Sequence, residues 1–379
     1  MVKGFVRSVT KLGYQNVAKP LMFRKSADIV HKNLIKTAKV VQKTPGVRSM
    51  PGLWSHHNET MLSQTIAGVN YRNPVGLSAG FDKTIEMPKL MRSVGFGWMT
   101  GGSVTLGSYK GNKGAWYHRL PKSRSLVVNA GLPSEGTLVV SRRVALYSQK
   151  IFDNFPLNVS VAKTNSKNSV GDEQGVDDYC QSLAVFDGLD QVSTMEINIS
   201  CPNTFGGEPF TTPVRLEKLL KSVDELKLSK PVYVKMPTGL EDKDFDDLLK
   251  VIVRHNVTGV TISNLVKDRS SIELKDELPD SVRGGLSGLP AKAISNYLIS
   301  LAYKKYGDRL IIIGVGGIMS ADDAYEKIRA GASLVALITG LIYEGPQLIG
   351  DINHDLERLL KRDGYANVSE AVGVDIATA

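Results

Sequence analysis

Residues 195–207, MEINISCPNTFGG, decide how the rest of the chain is read. Met195, Ile197 and Ile199 alternate as in a strand, which then runs into Ser200-Cys201-Pro202-Asn203 and a glycine-rich loop. Glu196, Asn198 and Ser200 stand where a buried strand would be apolar, and a thiol follows at its end. Amides inside a strand with a cysteine beyond it mark a site rather than plain core, and the Gly206-Gly207 loop is expected to act as a lid.

Outward from this stretch, short apolar runs alternate with helix-length segments. The strands fall at residues 75–79, 98–102, 157–162, 195–199, 232–235, 259–262, 310–314 and 334–337. Eight strands so spaced predict an α/β fold, a (β/α)8 TIM barrel whose site lies at the C-terminal strand ends; a doubly wound sheet is the alternative. Residues 62–66 and 69–71, flanking Ala67-Gly68, predict a hairpin under the barrel, and residues 347–362 a closing amphipathic helix.

The charge is placed unevenly. The first 48 residues hold eleven Lys and Arg against one acid, Asp28; the other 331 hold 36 bases and 37 acids, so the net +9 belongs to the N-terminal segment. Residues 3–18 and 26–42 each carry an apolar stripe: Phe5, Val6, Val9 and Leu12 in the first, Ile29, Val30, Leu34, Ile35, Ala38 and Val41 in the second. Pro20 is expected to separate the two helices and Pro45-Gly46 to end the second. The chain thus divides into a small basic amphipathic helical extension, 1–48, and a barrel domain, 49–379. The extension suits an anionic membrane surface, a hairpin packed on the barrel, or a targeting peptide.

With 379 residues, 42% apolar, the chain can bury a large core. Cys180 and Cys201 are too few for a disulfide scaffold, and Cys180, on a helical stretch, reads as a buried structural thiol. No apolar run reaches the roughly 18 residues of a spanning helix. The six histidines lack metal-ligand spacing, so no metal is expected. No carboxylate pair stands at the strand ends, which excludes hydrolysis of the glycosidase kind.

What stands there instead is amides, glycines and lysines. Lys83 and Lys235 each follow or end an apolar strand, where an ammonium needs a negative partner. Asn129, Asn198, Asn203 and Asn264 could meet a flat heterocycle, since a carboxamide donates and accepts in one plane. Gly314-Val315-Gly316-Gly317, with Ser320 opening a helix, offers backbone donors to an anion, and Thr339-Gly340 offers a second turn of them. Cys201 is a candidate base.

Together these residues resemble the dihydroorotate dehydrogenase family over about residues 62–374. The motifs are 73-NPVGLSAGFDK-83, 197-INISCPNT-204, 284-GGLSG-288, 314-GVGGI-318 and the ending 341-LIYEGP-346. The resemblance implies an FMN barrel that oxidises dihydroorotate to orotate in pyrimidine biosynthesis. It implies FMN among Ala79, Gly80, Ser103, Asn158, Lys235, Ser263, Gly288, Gly317, Thr339 and Gly340, substrate held by Lys83, Asn129, Asn198, Asn203 and Asn264, and Cys201 as the base. Lys235 would stabilise the reduced ring.

The family divides by base and electron acceptor. A helical pair resembles its membrane-associated, quinone-reducing members; a cysteine base, the sequence 129-NAGLP-133 and Ile338 are similar to, or depart toward, the soluble branch, although Ser134 stands where those enzymes usually carry Asn. Quinone is the expected acceptor, with fumarate or NAD through a partner as the alternative, and a flavin oxidoreductase acting on a uracil-like ring as a further one. The expected place is peripheral, on the cytoplasmic side of a membrane, or else the soluble cytoplasm. Nucleic acid is not an expected partner, because Phe5, Tyr14 and Phe23 are too few among the N-terminal bases to stack on nucleobases.

Overall fold

Eight parallel strands close on themselves in the computed structural model, which describes residues 2–55, 58–166, 171–201, 203–204, 210–270 and 272–376. They are β1 (Val75–Leu77), β2 (Trp98–Val104), β3 (Leu157–Val161), β4 (Thr194–Asn198), β5 (Val232–Lys235), β6 (Gly259–Ile262), β7 (Ile311–Val315) and β8 (Leu334–Leu337). Each pairs with the next and β8 returns to β1, so chain order is barrel order. Every predicted strand forms, five of them with an end displaced by a residue or two. Strands covered on both faces read as near-continuous apolar runs, and this is why they were visible. The doubly wound alternative is excluded by the closure.

The floor of the barrel is filled. Trp98, Tyr233, Ile313, Leu334 and Ala336 pack in one cluster with Ile66 and Tyr71 from the antiparallel hairpin Gln64–Ile66 and Val69–Tyr71. Gly76 makes room for the largest of them: a Cβ there would lie 2.1 Å from the Trp98 indole. The closing helix, Leu348–Arg362, buries Ile349, Ile352, Leu356 and Leu360 against the outer core.

The N-terminal segment departs from expectation at its prolines. Helix α1 (Val2–Gly13) continues through a π-turn (Tyr14–Ala18) and a further turn (Lys19–Phe23), so Pro20 does not break it. The Lys19 amide bonds to Tyr14 O, five residues back, and this widened turn accommodates a residue that lacks a donor and crowds the preceding turn. The chain turns instead before Ser26, whose hydroxyl caps α2 (Ala27–Val41) by accepting from Ile29 N. Pro45 likewise opens a short helix, Pro45–Ser49, rather than ending the one before.

Both helices lie on the barrel. Arg7 pairs with Asp351 at 3.0 Å, Tyr14 donates to Ile342 O at 2.6 Å, and Trp116 N donates to Asp28 at 2.9 Å. In α1 the buried Arg7 occupies the inward face, while Phe5 (71% exposed), Val9 (51%) and Leu12 (62%) point outward. The apolar stripe therefore faces away from the protein. No helix among the described residues is long and apolar enough to cross a membrane.

Candidate active site

The C-terminal strand ends open into a cavity that gathers most of the residues singled out above. Ala79, Gly80 and Lys83 reach it from beyond β1, Ser103 from β2, and Asn198, Cys201 and Asn203 from β4 and its continuation. Lys235 ends β5; Ser263 and Asn264 follow β6; Gly316 and Gly317 follow β7; Thr339 and Gly340 follow β8. Gly288 joins from the antiparallel sheet of Tyr117–Leu120, Ser125–Val128 and Gly285–Leu286, which roofs this end. Two predicted residues lie outside the lining. Asn158 is buried in β3, donating to Thr100 Oγ1 at 3.2 Å, with its Oδ1 unbonded among the described residues. Asn129 accepts from Asn112 at 3.1 Å.

The asparagines are held as a set. Asn198 donates to Ser103 Oγ at 2.8 Å, and Ser103 shares its hydroxyl bond with Ser160 at 2.8 Å. Asn264 donates to Ser200 O at 2.6 Å and fixes its own oxygen on Leu265 N at 2.8 Å. Asn203 donates to Val128 O at 2.9 Å. Satisfied partners of this kind lock side-chain orientation before any ligand arrives. Glu196, which interrupts the strand pattern, accepts from Thr261 Oγ1 at 2.7 Å inside the barrel. Ser134 bridges Tyr109 through its backbone, and its hydroxyl accepts from Thr105 N and Gly136 N.

The two lysines differ. Lys83 donates to Gly80 O at 2.5 Å and to the Tyr117 hydroxyl at 2.6 Å, which leaves one of its three N–H groups. Lys235 is 5% exposed and borders the cavity, and among the described residues its ammonium makes no hydrogen bond or ion pair. A buried ammonium in that condition calls for an electron-rich or anionic ligand. The half-buried Cys201 stands with it on the same cavity. Glycine is obligatory around them: at Gly317 (φ +74) a Cβ would fall 2.4 Å from Lys292 Cβ, and at Gly340 2.2 Å from Ile318 O. An anion at these loops would meet backbone, not side chain.

The helix expected to offer its N-terminus to that anion does not do so. Its Ser320 hydroxyl accepts from Asp323 N, and the Asp323 carboxylate accepts from Met319 N and Ser320 Oγ, so the chain's own acid occupies the helix start. Cys180 proves only half-buried, with burial pushing its thiol up to about 11. Pro202 and the Gly206-Gly207 lid lie outside the described residues.

Three contributors were missed in the sequence. Asn112 bonds Asn129 and also Asn203 O, each at 3.1 Å, and so ties two expected substrate residues together. Tyr117 accepts from Lys83. His31 of α2 packs against Phe81 and Tyr117 at centroid distances of 5.6 and 5.3 Å, and burial, aided by the Lys83 charge, pushes it down to about 3, so it is neutral. Its position, four residues after Ala27 and three before Leu34 on the cavity-facing stripe, was the available signal. Ala27, Val30, His31 and Leu34 of α2 thus wall the same cavity as the thiol and both lysines.

Comparison with known proteins agrees with this arrangement. Residues 61–360 match the family model described as dihydroorotate dehydrogenase. A dihydroorotate dehydrogenase (quinone) of Natronomonas pharaonis is 34% identical over 96% of this chain and all of the relative; one from Deinococcus deserti is 32% identical over 96% and 99%. A crystal structure of DHODH from Eimeria tenella in complex with ferulenol superposes with a TM-score of 0.78 at 26% identity, covering 92% of this chain and 96% of that one.

Proposed function

The chain belongs to the dihydroorotate dehydrogenase family, and on that premise we propose that it oxidises dihydroorotate to orotate in pyrimidine biosynthesis, with FMN at the barrel mouth and a quinone as electron acceptor. The family is flavin-dependent. One observation carries the reading: the cavity that holds Cys201, Lys83 and Lys235 continues to the wall formed by α2. Donor chemistry and an apolar approach for an acceptor therefore share one enclosure.

When bound, the flavin supplies the two-electron acceptor for the substrate's C5–C6 bond. Cys201 takes the C5 proton as general base. Lys83 gives its remaining N–H to the substrate carboxylate. The carboxamides of Asn129, Asn198, Asn203 and Asn264 match the N–H and C=O groups of the ring. Lys235 brings positive charge to a flavin that gains negative charge on reduction, an effect worth several kcal/mol in a water-poor site. Ala79, Gly80, Ser103, Asn158, Ser263, Gly288, Gly317, Thr339 and Gly340 complete the FMN set, the glycines at β7 and β8 facing its phosphate.

Residues 1–48 are then a membrane-facing extension of the barrel, 49–379. The relatives' quinone acceptor, the outward apolar face of α1 and the basic charge around it all support a peripheral place on an anionic membrane. Cys201, the sequence 129-NAGLP-133 and Ile338 favour a soluble acceptor, as in cysteine-bearing members of the family. Anaerobic addition of dihydroorotate bleaches the yellow protein; a short-chain quinone then restores the colour, and fumarate or NAD does not. Recolouring by fumarate or NAD alone would overturn the acceptor, and no bleaching would overturn the activity.

A further inference from the structure

Helices α3 (Lys292–Tyr306) and α4 (Ala321–Arg329) pack outside β7, and between them lies a lysine that the proposed chemistry does not use. Lys327 is fully buried. Its ammonium donates to Ser295 Oγ at 2.9 Å and to Asn296 Oδ1 at 2.6 Å, and no carboxylate is bonded to it among the described residues. Ser295 in turn donates to Val315 O at 2.7 Å, the carbonyl just before Gly316-Gly317. The lysine stem borders the same strand: a Cβ at Gly314 would fall 3.3 Å from Lys327 Cδ.

The charges around it make the placement informative. Asp323 and Glu326 of α4 face Lys292 of α3, which pairs with both, at 2.7 and 2.6 Å. Asn296 of α3 donates to Glu326. Without Lys327 the region behind the loop is net negative, two carboxylates against one ammonium, the wrong sign for an anion in front of it. Burial, partly countered by Glu326, pushes Lys327 down to about 7, so its charge is readily altered near neutral pH. The barrel strand beside it contributes no titratable group.

Resting on the FMN reading above, we infer that Lys327 is a positioning residue for the cofactor phosphate: it steadies the Gly316-Gly317 loop through Ser295 and takes up the proton that balances the bound phosphate dianion. The dianion favours the ammonium form, and by reciprocity the ammonium form favours the dianion. Riboflavin, which lacks the phosphate, is blind to both effects.

The test uses the full-length protein loaded with FMN or riboflavin and diluted, with released flavin read by its fluorescence between pH 7 and 9. This window lies above the phosphate's own second ionisation at about 6. FMN affinity is expected to fall with rising pH, by up to about tenfold per unit for one linked proton, while riboflavin affinity lacks that slope. Lys327→Gln is expected to weaken FMN by about tenfold or more at pH 7 and to flatten its slope, leaving riboflavin unchanged. Equal pH slopes for the two flavins, or equal weakening of both by the substitution, would overturn the inference. If the variant does not fold, calorimetry of wild type in buffers of different ionisation enthalpy decides: proton uptake with FMN but not riboflavin supports the role, and equal uptake refutes it. A protein that binds no FMN sinks the flavin reading itself, whereas tight FMN binding without the proton difference sinks Lys327 alone.

Discussion

The ring of His31 lies 5.3 Å from that of Tyr117, and the Tyr117 hydroxyl takes a 2.6 Å hydrogen bond from Lys83. One tyrosine thus joins the N-terminal segment to the lysine that the proposal gives to the substrate.

That contact makes the docking of α2 sensitive to acid. Burial and the Lys83 charge hold His31 at about 3 in the folded protein, against about 6.5 in an unfolded chain. A depressed folded value means the contribution is complete above 6.5 and is lost as pH falls from there toward 3, at up to about 1.4 kcal/mol per unit. Thermal unfolding of the flavin-loaded protein from pH 7.5 to 4.5 is expected to show a falling midpoint, flatter in His31→Phe. Parallel curves for the two proteins would remove His31 as the cause.

At Cys201 the acidity of the base is open to direct manipulation. Cys201→Ala is expected to abolish turnover at neutral pH with the yellow colour retained. Cys201→Ser keeps some turnover with an optimum displaced upward, because an alcohol is a much weaker acid than a thiol near 8.5. Stopped-flow bleaching across pH 6–10 measures both, and an alanine variant as fast as wild type would refute the assignment.

Asn112 holds the Asn129 carboxamide and the Asn203 backbone carbonyl without itself lining the cavity. Asn112 is half-buried, and removing a side chain that holds such groups costs them about 1–3 kcal/mol. Asn112→Ala is expected to raise KM for dihydroorotate by roughly 5- to 100-fold while flavin content stays the same. An unchanged KM would show that Asn129 and Asn203 hold themselves.

The outward stripe of α1 predicts lipid binding. Phe5→Glu with Leu12→Glu is expected to abolish co-sedimentation with anionic vesicles while dihydroorotate still bleaches the flavin. Each substitution removes roughly 1.5–3 kcal/mol of apolar burial. Vesicle binding that survives the double change would assign the attraction to the lysines alone.

Much of the fold was legible because parallel strands covered on both sides leave unbroken apolar runs; 232–235, 259–262 and 334–337 matched to the residue. Pro20 misled because a proline's meaning depends on the turn before it, and a π-turn leaves no mark in the sequence. Asn112 carried no local signal: it sits in a Gly- and Lys-rich loop and gains partners only when Asn129 and Asn203 are brought to it. The helix opened by Ser320 was expected to offer its N-terminus to an anion, and the Asp323 carboxylate accepts from Met319 N there instead. Lys235 could be singled out because a lysine ending a buried strand has no water to reach.

The plugged floor has a kinetic consequence. With Trp98, Tyr233 and the hairpin packed in the base, nothing passes through the floor, and the cavity is reached from the strand-end side. On the proposed chemistry donor and acceptor then come to the same end of the barrel as two half-visits, fuel in and ash out before the oxidant calls, and plots of inverse rate against inverse substrate at several acceptor concentrations are expected to run as parallel lines.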